Sequence, residues 1–371
     1  MNSIIFASMF LIVLVSVLFL GNFSIYVFLI KFFNISNHNV KIYIGGILFI
    51  LGISFILASI LTHYFDNPFS RGAYFISGLW LGFLVNINMF IGVLVIIDLI
   101  LKKYGFIDYK VYAGGIMIFL CIVYSSYGIF NALSPQVNEV SVKLKNLPDS
   151  WKNKKIVMIS DVHLGNIYND DFMKKVVDKI NIINPEAVFI VGDLFDGMDG
   201  HLDKYVKPLD NLKTKKGTFF VTGNHETYLG VDNALKSLEN TGVKILDDEK
   251  LDIDGIEIIG LSYPLRGEFK DFKKTFSNLK LSSDKPKILL YHNPMHLDEA
   301  KNAGIDLQLS GHTHRGQLFP FNLITSIIYA GHDLGLTKIG DFQIFTSIGV
   351  STWGPAMRTN SRSEIVEITL R

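Results

Sequence analysis

The chain has 371 residues, 49% of them hydrophobic, with a mean hydropathy of +0.33 and a formal net charge of +1. That length accommodates two ordinary domains, or one large domain and a smaller unit. A charge balance this close to zero lacks the basic field that nucleic acid requires, so no nucleic-acid partner is expected, and the single cysteine, Cys121, excludes both a disulfide framework and a thiolate metal site.

Charge is spread unevenly along the chain. Residues 1–133 hold six Lys or Arg and three Asp or Glu, against 29 and 31 in the remainder. Within this first part, apolar runs at about 4–30, 41–62, 72–101 and 111–133 each match or exceed the roughly 20 residues that cross a bilayer core. Four such runs in succession, joined by short charged or Asn-rich loops, predict an all-α transmembrane domain over 1–133 in contact with the lipid bilayer. Asn86, Asn88 and Asp98, within or near the third run, are expected to face other helices and to have no catalytic role. Lys31 and Lys41 flank the first connection, and Lys102, Lys103 and Lys110 the third, which makes those loops cytoplasmic. With four spans the large C-terminal domain then lies outside the cytoplasm, on a multi-pass protein of the cell membrane.

After Ser134-Pro135 short β-rich runs alternate with amphipathic helical stretches, which predicts a layered α/β domain over 134–371. The runs end alike. Lys155–Ser160 stops at Asp161-Val-His163, and Ala187–Val191 stops at Gly192-Asp193-Leu-Phe-Asp196; a helix is expected between them, from near Asp170 to Asn184. Gly217–Thr222 leads into Gly223-Asn224-His225-Glu226, Lys287–Tyr291 into His292-Asn-Pro294, and Asp306–Ser310 into Gly311-His312-Thr313-His314. Ligand sites of open α/β sheets form at the carboxyl ends of strands, so five polar clusters at such ends point to one shared site.

The residue types say what that site holds. Asp, His and Asn without Cys suit divalent transition metals such as Mn, Fe, Zn or Co, and a central carboxylate can bridge two ions. Residues two apart share a face of a strand, so Asp161 and His163 can aim at one point. The glycines at 192, 223 and 311 are expected to let the backbone bend without screening the ligand that follows.

In their order and spacing these five blocks resemble the calcineurin-like metallophosphoesterases, over most of residues 150–371. Gly316-Gln317 after Gly-His-Thr-His, and a late Gly354-Pro355 with Arg358, are similar to a bacterial membrane-anchored subgroup. The resemblance implies a four-layer α/β/β/α sandwich and a hydrolase acting on phosphomonoester, phosphodiester or pyrophosphate bonds through a metal-bridging hydroxide. It further implies that Asp161, His163 and His314 hold one divalent ion, that Asn224, His292 and His312 hold a second, and that Asp193 bridges them. His225 is then the unmetallated residue near the substrate phosphate, with Asp196 fixing its tautomer. Relatives acting on lipid pyrophosphates such as UDP-diacylglucosamine suggest a lipid-linked substrate. Where many relatives have a second glycine this chain has Arg315, a candidate for contacting substrate phosphate, as are Arg358 and Arg266. The alternative to an enzyme is a non-catalytic, metal-containing membrane sensor or scaffold.

Other residues have plainer explanations. His201, His296 and His332 are expected to be surface or packing side chains, and Glu226 a helix-start carboxylate stabilised by the dipole. Leu318–Tyr329 is strongly apolar for a segment beside the last metal motif; it either packs into the core of its own domain or forms an interfacial lid against the bilayer. The oligomeric state is not legible.

Overall fold

The computed structural model describes residues 2–65, 67–106, 109–197 and 201–371, with side chains from residue 15 onward. The chain divides into two compact units: Met1–Phe130 with Gly354–Thr359, and Asn131–Trp353 with Asn360–Arg371.

The first unit is built on α1 (Asn2–Phe32), α2 (His38–Tyr64), α3 (Pro68–Lys103) and α4 (Lys110–Leu133). Each covers a predicted run and extends it by up to four residues, because polar flanking residues cap the helices. Asn37 Oδ1 accepts from the N–H groups of Asn39 and Val40, while Asn67 and Ser70 form a capping box just ahead of α3, with Pro68 in its first turn. In the most apolar window of each helix only 17% to 33% of residues are buried. Side chains such as Leu20, Phe23, Ile50 and Ile76 therefore face outward, as in helices surrounded by an apolar phase. Inward, Ile25, Phe28, Leu48, Leu84, Ile91 and Met117 form a common core.

Asn86 and Asn88 reach other helices, as expected, whereas Asp98 is answered from its own helix and from the connection that follows it. Asn86 Nδ2 donates to Ser125 Oγ at 2.9 Å, and Asn88 Nδ2 to the carbonyls of Leu84 at 2.8 Å and Gly21 at 3.3 Å. The carboxylate of Asp98 accepts from Lys102 Nζ and from the Tyr109 hydroxyl, each at 2.6 Å. The segment Gly354–Thr359 packs with these helices. The N–H of Arg358 donates to the Gly128 carbonyl at 2.8 Å, and a Cβ at Gly128 would come within 2.8 Å of Met357 and Thr359, which explains glycine there.

The second unit runs β1 (Gln136–Val142), β2 (Lys155–Ile159), α5 (Asp170–Ile183), β3 (Ala187–Val191), α6 (Leu202–Val206), β4 (Thr218–Val221), α7 (Asn224–Leu229), α8 (Val231–Leu238), β5 (Val243–Ile245), β6 (Glu249–Ile253), β7 (Ile256–Gly260), α9 (Phe272–Leu279), β8 (Lys287–Leu290), α10 (Leu297–Asn302), β9 (Leu307–Ser310), α11 (Phe321–Ile328), β10 (Gly335–Ile339), β11 (Phe342–Thr346) and β12 (Glu364–Leu370). The strands form two sheets ordered β1-β12-β2-β3-β4-β5 and β10-β11-β9-β8-β7-β6. Both are mixed: β2, β3, β4 and β5 run parallel, as do β7, β8, β9 and β11, while β12 lies antiparallel to β2 and the β6 and β10 edges are antiparallel to their neighbours.

Alternation along the strands produces the layering. In β2, Ile156 and Met158 join a core shared with Ile258, Ile288, Leu307 and Phe345 of the other sheet, whereas Val157 and Ile159 point to a second core with α5 and α8. On the far side of the second sheet, Ile259, Leu289 and Ile344 pack with Phe272 and Phe276 of α9 and Ala300 of α10. Helices thus cover both outer faces of two facing sheets, which is the α/β/β/α arrangement the resemblance implies. Strands buried on both faces read as continuous apolar runs, which is why β2, β3, β4 and β8 were recognisable in the sequence. The helix expected between β2 and β3 is α5, capped at its start by the Asn169 side chain and ending on Asn184 in the left-handed conformation.

Candidate metal centre

The carboxyl ends of β2, β3, β4, β8 and β9 carry the five polar clusters, and the fold brings them together. The turns after β2 and β3 are joined by backbone bonds: the N–H groups of Val162 and His163 donate to the Asp193 carbonyl at 2.9 and 3.1 Å, and that of Leu164 to the Leu194 carbonyl at 2.8 Å. Asp161, His163, Asp193, His312 and His314 all have φ between 45° and 72°. Such left-handed backbone costs a non-glycine residue on the order of 1–3 kcal/mol and persists only where the surroundings enforce it.

The glycines serve this crowding more than they serve bending. Of the three expected to relieve the turns, only Gly192 has a positive φ, at 76°. All three are places of close approach: a Cβ would stand 2.5 Å from the His292 ring at Gly192, 2.2 Å from Asp193 Oδ1 at Gly223, and 2.3 Å from Asp161 Oδ2 at Gly311.

Three groups of side chains converge, each offering one donor atom within 4.8 Å of the others: Asp161 with His163 and His314, Asp193 with His292 and His312, and His163 with Asp193 and His225. The first two are the His and Asp members of the two ligand sets implied by the resemblance. His163 Nε2 and His314 Nε2 are 3.0 Å apart. His292 directs Nδ1–H at the Val191 carbonyl at 2.8 Å, leaving Nε2 3.0 Å from Asp193 Oδ2. Asn224, the remaining member, is buried, and its Oδ1 has no hydrogen-bond partner.

Charge in the cluster is organised around Asp193. Burial works against its ionised form, but His292, His225 and His163 outweigh that and hold its pKa well below the usual carboxylate range. Burial likewise opposes a charge on His292, yet Asp193, followed by Asp161, keeps its pKa up at about 10. Burial, followed by the nearby His292, lowers His312 to about 4; burial and the neighbouring imidazoles of His225 and His314 push His163 well below its ordinary value. The buried carboxylates of Asp161 and Asp193 draw a cation to the cluster, and an orphaned amide oxygen costs about 1–3 kcal/mol that coordination would offset. The donors present therefore fit divalent metal.

Two supporting residues differ from expectation. His225 Nδ1–H donates to the backbone carbonyl of Asp196 at 2.8 Å, so the main chain at 196 fixes the tautomer, not the carboxylate. The Asp196 carboxylate instead has Oδ1 3.9 Å from His163 Nδ1, and burial, with the Asp193 charge adding, raises it to about 8. Glu226 does sit at the start of α7, but its role extends well beyond that turn. It is fully buried and accepts from three N–H groups, those of Gly223 at 2.6 Å, Asp193 at 3.0 Å and Phe195 at 3.1 Å, tying the β3 turn to the β4 turn. Burial, then Asp193, lifts its pKa to about 7. Its spacing from Gly223 is a capping-box signal; nothing local in the sequence reveals the reach to Asp193.

Aromatic rings border the cluster. Tyr228 and Trp353, both more than half exposed, have centroids 5.2 and 6.1 Å from that of His225, and Tyr263 and Tyr329 lie 6.1 and 6.3 Å from His312. Half-buried Arg315 follows His314 directly, exchanging bonds with Asn360: its guanidinium donates to the Asn360 carbonyl at 3.5 Å and its own carbonyl accepts from Asn360 Nδ2 at 3.0 Å. Arg266 is exposed. Arg358 falls in the other unit, fully buried in the segment that groups with the helices. Of the remaining histidines, His296 stacks on Phe272 at 3.9 Å, a packing role as expected.

Comparison with known proteins agrees with this arrangement. Residues 154–316 match the profile of the calcineurin-like phosphoesterases. An uncharacterized metallophosphoesterase of Campylobacter jejuni is 36% identical over 261 residues, covering 69% of this chain and 68% of that protein. One from Helicobacter pylori is 35% identical over 248 residues, 66% of each chain. A transmembrane protein with metallophosphoesterase domain from Danio rerio is 32% identical over 269 residues, 67% of this chain and 60% of its own length. With its two mixed sheets, its strand-end donors and relatives of this kind, the chain belongs to the calcineurin-like metallophosphoesterase family and is a metal-dependent phosphoester hydrolase.

Proposed function

We propose that the protein is a membrane-anchored two-metal phosphoesterase that cleaves phosphomonoester, phosphodiester or pyrophosphate bonds of lipid-linked substrates. Asp161, His163 and His314 would hold one divalent ion, Asn224, His292 and His312 a second, and Asp193 would be shared between them. The observation that carries this reading is that the two donor groups are linked through His163 and Asp193, whose donor atoms lie within 4.8 Å of each other, while Asn224 Oδ1 is buried and unpartnered. When bound, the ions neutralise phosphoryl oxygens and lower the pKa of the attacking water.

The side chains around them have separate tasks. His225 is held by the Asp196 carbonyl through Nδ1 and by a bond from its own N–H to Asp193 Oδ1 at 2.9 Å. Nε2 is then the nitrogen left for substrate: in the imidazolium form His225 carries a second proton there, which passes to the leaving oxygen as the phosphorus–oxygen bond breaks and leaves the neutral Nδ1–H tautomer. The Asp196 carboxylate beside His163 steadies that imidazole, and Arg315 provides a cation for a non-bridging phosphate oxygen. A scaffold that merely retained metal would have no use for an oriented, unmetallated His225.

The helices of the first unit keep the hydrolase at the bilayer, and the lysines of the first and third connections favour an extracytoplasmic catalytic domain. The test is hydrolysis by the purified full chain of soluble and lipid-linked phosphoesters, UDP-diacylglucosamine among them, with Mn, Fe, Zn and Co in turn. Asp193→Asn is expected to reduce turnover by at least ~100-fold and to lower bound metal, since even outer-shell changes at metal sites cost 10–100-fold. Unchanged activity in that variant would refute the site.

A further inference from the structure

Leu318–Tyr329 does not pack into the core of its own domain. Leu318 is buried, but Phe319, Phe321, Leu323, Ile324, Ile327 and Ile328 are exposed, Ile327 to 80%. No residue from Leu318 to Gly331 carries a charge. Large apolar side chains this concentrated are unusual on a surface that meets only water.

The other side of the segment is fixed. Thr325 Oγ1 donates to the Asp333 carboxylate at 2.8 Å, and Thr313 Oγ1 donates to the Asp333 carbonyl at 2.8 Å. Gly316 lies so close that a Cβ there would stand 2.4 Å from the Phe321 carbonyl carbon. The Tyr329 ring is 6.3 Å from that of His312. α11 is thus a pad fastened to the Gly-His-Thr-His motif, with its apolar side turned away from the domain.

We infer that this pad docks on a lipid surface, with Phe319, Phe321, Leu323, Ile324, Ile327 and Ile328 entering the boundary between headgroups and acyl chains. The bilayer is the occupant because the same chain carries four helices whose outward surfaces are apolar. An uncharged Phe- and Leu-bearing face of this size binds the interface by burying apolar area. Docking would set the metal centre at the height of a lipid headgroup phosphate. The inference rests on the reading of α1 to α4 as the membrane anchor.

The experiment uses the full chain reconstituted in lipid nanodiscs, in a Cys121→Ala background. Single cysteines at Ile327→Cys in the pad, Ile50→Cys on the outward face of α2 and Ser277→Cys on exposed α9 carry an environment-sensitive fluorophore. Lipids spin-labelled near the headgroup are expected to quench the label at 327 severalfold more than that at 277, with the emission at 327 shifted to the blue, and lipids spin-labelled deep in the acyl chain are expected to quench the label at 50, at the middle of α2. Strong quenching at 50 with none at 327 overturns the docking while leaving the anchor intact; no quenching at 50 overturns the anchor itself. A blue shift at 327 without lipid quenching, lost when each disc holds one chain, would show a second copy covering the pad and likewise overturn the inference. In a second readout, the pair Leu323→Ser and Ile327→Ser is expected to lower turnover of a bilayer-embedded phosphoester severalfold while sparing a soluble one; equal loss on both would count against the role in substrate access.

Discussion

Asp98 in the helical unit and Asp193 in the strand-end cluster are both buried carboxylates, and they are balanced in opposite ways. Asp98 is answered within its own neighbourhood, by Lys102 one turn along the same helix and by the Tyr109 hydroxyl. Asp193 has no lysine or arginine ion pair among the described residues; its counter-charges are imidazoles from other strand ends, and its own N–H is held by Glu226. A carboxylate neutralised by a local cation finishes a piece of architecture. One met by imidazoles from other strand ends, with no lysine or arginine pair among the described residues, is open to a cation from outside, and that distinction separates support from chemistry in this molecule.

The contrast can be tested at four points of decreasing effect. Gly311→Ala should be most damaging, since its Cβ would fall 2.3 Å from Asp161 Oδ2 at a position whose φ is not left-handed, so the cost is one of space alone. Activity should fall on the order of 100-fold, as for a displacement of about 1 Å in a catalytic group, while far-ultraviolet circular dichroism stays native; a fully active variant would show that Asp161 has slack. Glu226→Gln should come next. An amide must turn its NH2 toward a backbone donor that the carboxylate now accepts, leaving a buried N–H unmet at about 1–3 kcal/mol. A lower Tm together with roughly 10-fold weaker metal retention, measured by dialysis and elemental analysis, is the expected result, and unaltered metal content would reduce Glu226 to a helix cap.

Asp98→Asn should matter far less. Its Lys102 partner is half exposed, so stability should change by about 1 kcal/mol or less and phosphoesterase activity by less than about twofold. A large catalytic loss would erase the distinction drawn here. The smallest effect concerns Asp306, a carboxylate just ahead of β9 that accepts from the Lys287 N–H at 2.8 Å and whose pKa burial raises. A raised folded-state pKa favours folding below the unfolded value of about 3.9, and that contribution is lost as pH rises through the folded value. Asp306→Asn should therefore raise Tm slightly at pH 7 and lose that advantage towards pH 4, which a pair of melting curves would register.

What the sequence disclosed follows from how local each feature is. The β2–α5–β3 unit was legible because two doubly buried strands are unbroken apolar runs and because Asn169 and Asn184 mark the helix ends. The proposed ligand positions were legible because they cluster just past the ends of such runs. Glu226 was not, since its three bonds depend on the β3 and β4 turns meeting in space. Nor was the task of the Asp196 carbonyl, because any residue type supplies a carbonyl and only the fold aims it at His225. The exposure of α11 was equally hidden: an apolar octapeptide reads the same whether it enters a core or leaves one. For Arg358 the surrounding Gly354-Pro355 pattern suggested a substrate contact; its main chain is bonded to Gly128, a placement that no local pattern discloses.

The left-handed backbone at five of the proposed ligand positions bears on metal selection. Main chain confined to so narrow a conformational well cannot stretch or contract to suit an incoming ion, so differences in preferred bond length must be absorbed by side-chain torsions alone. An ion too large for that latitude would be rejected by geometry even where its affinity for imidazole and carboxylate is ample. Substituting a β-branched residue at any of these positions would unsettle the mould itself, and no change of metal in the medium would restore it.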